Sequence, residues 1–203
     1  MALVKLNNNG VKNATAFGSI TGLGDLTFIS RSTASSSATV SITSGITSTY
    51  KEYIFVFNNI HPATNAAKFS LIGSTDGGSN YGVATTTSMI EALVDESGNS
   101  GEVRYEDGDD VAQSTSAFPI STGIGSDNDE SLSGFLHFFE PSSATFVKHF
   151  LSTIQSANGS GTPFCVSNRT SGYFNTTSAI TAIQFSFNSG NIDSGTIDMY
   201  GVN

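Results

Sequence analysis

The chain of 203 residues contains one cysteine, Cys165, and no tryptophan. A single thiol excludes an intrachain disulfide, a Cys-based zinc site and a paired-cysteine redox centre. Lysine and arginine together number only 8, against 17 aspartates and glutamates, which leaves a net charge of −9. Binding through phosphates draws on clusters of cations, so neither nucleic acid nor an anionic membrane surface is expected as a partner. No apolar run approaches the roughly 20 residues needed to cross a bilayer. At the start, Ala2, Leu3 and Val4 precede polar residues. That run is too short for the centre of a secretory signal, so synthesis in the cytoplasm is expected.

What the chain has instead is Ser 32, Thr 23 and Gly 21, alongside Phe 15 and Tyr 6. Ser and Thr compete with a helix for backbone hydrogen bonds, and Gly costs about 1 kcal/mol inside one. Thr and the aromatics suit pleated strands. An all-β protein is therefore expected. Hydrophobic residues at 37% and aromatics at 10% supply enough apolar surface for collapse, and the length suffices for one domain without a metal or disulfide as a prop.

Residues 1 to 25 read differently from the rest. Asn7, Asn8, Asn9 and Gly10 form a polar break, and Gly18, Gly22 and Gly24 prevent a long regular element. Leu3, Val4, Leu6, Val11 and Phe17 are too few to make a core but enough to lie in a groove of a neighbour. The segment reads as an extended attachment arm, with a β domain over 26 to 203. From Leu26 onward short β runs alternate with turn clusters, the spacing of a sandwich or barrel.

Tyr53, Phe55 and Phe57 share one face, with Ile54 and Val56 on the other, so this strand should be central and covered on both sides. Phe69 and Leu71 mark a strand running into Ser74 to Asn80, where Asp76-Gly77-Gly78 reads as a hairpin turn. Further strands are expected over 81–88, 102–105, 132–139, 145–154, 164–166 and 196–201. Ile183, Phe185 and Phe187 line one face of another. Eight to ten strands fit a two-sheet, jelly-roll-like sandwich.

Catalytic signals are sparse. His61, His137 and His149 lack metal-ligand spacing and are expected at polar sheet surfaces or interfaces. The serines include no Gly-x-Ser-x-Gly elbow. Gly22-Leu23-Gly24 and Gly123-Ile124-Gly125 lack the third glycine of a phosphate cradle and read as loops. Cys165 is expected in a strand core beside Phe164 and Val166. The concentrated feature is acidic: Glu91, Asp95, Glu96, Glu102, Glu106, Asp107, Asp109 and Asp110 fall within twenty positions. Carboxylates so dense stay ionised only if solvated or sharing a cation. Asp107, Asp109 and Asp110, and Asp127 with Asp129, are weak candidate Ca²⁺ loops that do not match the twelve-residue helix-loop-helix site. No cofactor is expected. The same acids could supply a glycosidase pair, though no tryptophan is present to stack a sugar.

The run Ile46-Thr47-Ser48-Thr49-Tyr50-Lys51-Glu52-Tyr53-Ile54-Phe55-Val56-Phe57-Asn58-Asn59-Ile60-His61-Pro62 resembles a block in structural proteins of marine tailed bacteriophages. Gly73 to Tyr81, Gly172 to Ile180 and Ser189 to Gly201 agree with it. The resemblance implies a virion protein: a capsid decoration or cement protein on the major capsid protein, or a tail appendage with a glycan-binding role. It carries no catalytic residues. Low charge and an acidic balance suit a β surface that packs on like copies, most plausibly as a homotrimer.

Overall fold

A computed structural model describes residues 26–158 and 164–202. The arm expected over 1–25, with Leu3, Val4, Leu6, Val11 and Phe17, lies outside the described residues. Twelve strands and no helix occur among the described residues. They are β1 (Leu26–Ser37), β2 (Val40–Ile42), β3 (Glu52–Pro62), β4 (Ala67–Ser74), β5 (Thr85–Asp95), β6 (Gly101–Tyr105), β7 (Phe118–Ile124), β8 (Leu132–Phe139), β9 (Lys148–Asn158), β10 (Phe164–Phe174), β11 (Ala182–Phe187) and β12 (Ile192–Val202).

They form two antiparallel sheets packed as a sandwich. One has eight strands in the order β1-β12-β3-β8-β9-β10-β5-β6, the other four in the order β2-β11-β4-β7. Without the β5–β6 and β9–β10 hairpins, the sheets reduce to four strands each, β1-β12-β3-β8 and β2-β11-β4-β7. The chain then crosses repeatedly from one sheet to the other. The two hairpins pair side by side and widen only the first sheet.

The core is aromatic because period-2 alternation sends Phe to one side of each strand. Tyr53, Phe55 and Phe57 of β3 face Phe69 of β4 and Phe185 of β11, all buried. Phe185 stacks on Phe69 at 5.6 Å between centroids and meets Phe57 edge-on at 5.2 Å. A second cluster gathers Phe118 of β7, Phe138 of β8, Phe150 of β9 and Phe174 of β10.

Several expectations need correction. β3 is central, between β12 and β8, but it is covered on one side only. Ile54 and Val56 are half-buried on the outer face, because among the described residues no third layer lies over the eight-stranded sheet. The Ser74–Asn80 turn is not a hairpin. Gly77 and Gly78 do adopt positive φ, 74° and 88°, yet the chain leaves β4 in the small sheet and enters β5 in the large one. A local turn signal fixes the reversal and not the partner. Gly123 and Ile124 close β7 instead of lying in a loop. β10 continues well past Val166, and β5 continues past Ser88.

Asp76 organises that crossing turn. Asn80 donates to it from its side-chain amide at 2.7 Å and its backbone N–H at 2.8 Å, and the Ser74 hydroxyl donates at 2.7 Å. These donors hold the carboxyl at about 2, down from 3.8. A depressed carboxylate contributes stability above its unfolded value that is lost as pH falls through its folded value. Asp76→Asn is therefore expected to flatten the loss of stability between pH of about 4 and 2. Urea midpoints of parent and variant at both ends of that window check this; an unchanged slope contradicts it.

Candidate functional site

The difference in width between the sheets creates the most concentrated polar site. β7 is the edge of the four-stranded sheet, while β5 and β6 project beyond it. The inner face of the β5–β6 hairpin therefore has no second sheet over it. An open cavity of about 580 Å³ lies there, lined by Lys68, Glu91, Glu102, Arg104, Glu106 and Asp109 among others.

Register builds the cluster. β5 and β6 pair Glu91 with Arg104 and Leu93 with Glu102, which places these side chains on the inward face. Arg104 then meets three carboxylates: Nη2 to Glu91 Oε1 at 2.8 Å, Nη1 to Glu102 Oε1 at 2.5 Å, and Nε to Glu106 Oε1 at 3.3 Å. The Glu91 side chain is 3% exposed and that of Arg104 47%. The hydrogen bond to Glu102 and the charges of Glu91 and Glu106 push the Arg104 guanidinium above its ordinary value.

Behind them, the buried Asn168 of β10 donates to Glu91 Oε2 at 3.3 Å. Its carbonyl oxygen accepts the Thr122 N–H at 3.1 Å and the Thr122 hydroxyl at 3.2 Å. One amide thus ties the charge cluster to β7 across the sandwich. Lys68 of β4 pairs with the buried Asp109 at the other side of the cavity.

The cation that the dense carboxylates share is thus a guanidinium. Among the described residues, no group of three or more His, Cys, Asp and Glu side chains is placed to hold a metal ion. Asp109 is engaged by Lys68, and Asp110 accepts the Tyr105 hydroxyl, whose proton it retains by raising the phenol above its ordinary value. Asp107 is exposed. Asp127 and Asp129 are exposed in the separate loop before β8, where the Asp127 carbonyl accepts from His61 Nε2 at 3.1 Å. Each candidate Ca²⁺ residue is thus exposed or engaged by a protein donor.

His137 pairs through Nδ1 with Glu52 and lies between Phe135 and Phe139 on the outer face. His149 is exposed on β9 near Tyr173. Cys165 is exposed, which corrects its expected core position. It opposes Val94 and Ala157 on the outward side of β10, while its neighbour Val166 takes the inward side. Lys148 is fully buried and donates to the carbonyls of Phe146 at 2.7 Å and Thr176 at 3.0 Å, and burial pushes its ammonium below the ordinary value. Both acceptors are backbone groups, so it braces loops instead of priming a nucleophile.

Sequence reasoning missed Lys68, Arg104 and Asn168. Only Arg104 carried a signal, the alternation Glu102-Val103-Arg104-Tyr105-Glu106, which puts one cation between two acids on one strand face. The pairing of Glu91 with Arg104 depends on register across the hairpin. No protein-family profile, curated protein or solved structure matches the chain.

Proposed function

We propose that the chain is a non-enzymatic structural protein of a tailed-phage virion: a decoration or cement protein that binds the major capsid protein and copies of itself as a homotrimer. The observation that supports it is the uncovered outer face of the eight-stranded sheet, where Phe28, Ile90, Val103, Tyr105, Phe135 and Phe139 stand exposed among small polar residues. Apolar side chains left exposed across one sheet face suit an interaction surface. A sheet surface of this kind suits packing by shape against a lattice of neighbours, whereas the cavity charges are already engaged with one another.

The interleaved order of strands across the two sheets favours reading the sandwich as a jelly roll with two inserted hairpins. In this reading residues 1–25, through Leu3, Val4, Leu6, Val11 and Phe17, attach the domain and the rest projects outward.

The alternative is a tail appendage that binds a host glycan, and the open cavity beside β6 is the feature that favours it. Copy number separates the two, because a shell is tiled by symmetry and a tail is not. Quantitative mass spectrometry of purified virions is expected to find on the order of hundreds of copies per particle. A few dozen or fewer moves the protein to the tail, and absence from the particle ends the virion reading.

A further inference from the structure

The eight-stranded sheet ends at β6, and no described residue pairs with the far side of that strand. Glu106 N–H donates to Met89 across the hairpin, and Asp95 N–H to Ser100, so the even-numbered residues of β6 bond to β5. The N–H and C=O groups of Gly101, Val103 and Tyr105 therefore face the open edge. That edge has two unlike flanks. Outward, Val103 is 74% exposed and Tyr105 54%, beside the exposed Ile90 and Val94, and Val94 and Val103 border a shallow apolar trough of about 440 Å³. Inward are Glu102 and Glu106, with Glu91 and Asp109 behind them and only Arg104 and Lys68 as cations.

A strand laid on this edge must alternate apolar residues with a cation. Residues 1–24 carry Lys5 and Lys12 and no acid, in a chain whose net charge is −9. Within them Ala2-Leu3-Val4-Lys5-Leu6 places Ala2, Val4 and Leu6 on one strand face and Leu3 with Lys5 on the other. We propose that residues 2–6 of one copy add as a strand to the β6 edge of a second copy, with Val4 and Leu6 on the Val103–Tyr105 patch and Lys5 toward Glu102 and Glu106. This rests on the attachment role given above to residues 1–25 and adds the acceptor.

Reach permits either the same chain or a second copy, and the polar run Asn7 to Gly10 favours the second. Residues 7–25 separate this segment from β1, enough for about 60 Å of extended chain. β1 and β6 are opposite edges of one sheet, seven strand spacings or roughly 34 Å apart. To reach its own β6, the chain would have to leave that edge over the outer face with Asn7-Asn8-Asn9-Gly10, which has no apolar side chain to place there. A donor at one edge and an acceptor at the other make a head-to-tail contact, which closes into a ring when the rotation permits.

The test uses full-length chains with Cys165→Ser. Val4→Cys and Val103→Cys are made on separate chains, mixed, and treated with a short bismaleimide, which tolerates a shift of register. The expected product is a covalent heterodimer of the two variants. A chain carrying both cysteines that cross-links only to itself, or no cross-linking at all, overturns the proposal. Val103→Pro removes only an N–H that faces the open edge. It should leave the thermal midpoint within a few degrees and abolish self-association by light scattering. Retained association in that variant also overturns it. Lys5→Glu should weaken association several-fold, and an unchanged affinity contradicts the assigned direction of Lys5. If deletion of residues 2–24 removes the protein from virions while the pure parent shows no cross-link, the acceptor is another protein. The attachment role then stands and this inference falls. Incorporation and association that both survive the deletion remove both.

Discussion

Phe185→Ala is expected to lower the unfolding free energy by about 3–5 kcal/mol, the range for truncating a large aromatic in a packed core. Phe185 is fully buried at the meeting point of both sheets. Its ring lies 5.2 Å from Phe57 and 6.0 Å from Phe55 of the large sheet, and 5.6 Å from Phe69 of the small one. Truncation opens a void that the strands packed around it cannot close, so the transfer and cavity costs add. Phe55→Ala removes one of the same contacts and belongs in the same range. Denaturant unfolding should show a lower midpoint at unchanged slope. A cost below about 1 kcal/mol would mean that the faces of β11 are assigned the wrong way round.

Arg104→Met is expected to cost about 2 kcal/mol although Arg104 lies near the surface. The Glu91 carboxylate it holds is almost wholly excluded from water, and a buried charge left without its partner costs far more than the pair is worth. The figure is below that for a fully buried pair because Asn168 remains to donate to Glu91 and water can enter from the open cavity. Glu102 and Glu106 would also face one another with their shared cation gone. The double variant Arg104→Met with Glu91→Gln should recover most of the loss, since it removes the stranded charge as well. If the single variant is as stable as the parent, the guanidinium is not what keeps these acids together. If the double variant is no better than the single one, the cost comes from lost packing of the Arg104 stem.

Chemical character was legible one strand at a time. Alternation in Tyr53 to Phe57 and in Ile183 to Phe187 fixed which residues share a face, and the aromatic face was the buried one in both. The crowding of acids between Glu91 and Asp110 marked the polar overhang and called for either solvent or a shared cation, but it could not say which. Arg104 sits opposite Glu91 only because β5 and β6 pair in one register, and a slip of one residue would have turned it to the other face. The same limit explains Ile54, Val56 and Cys165. Alternation says that a strand has two sides, and how much lies over each side depends on the other sheet.

The sequence by itself determined an all-β chain, the apolar side of its strands and the absence of an intrachain disulfide or paired-cysteine site, because these follow from side-chain chemistry and a period of two. Tertiary structure alone decided the eight-and-four division of strands, the crossing at Ser74 to Asn80 and the open β6 edge above a cavity. Those depend on pairing between segments distant in sequence. Backbone hydrogen bonds join any two strands equally well, so the choice of partner rests on how whole faces pack.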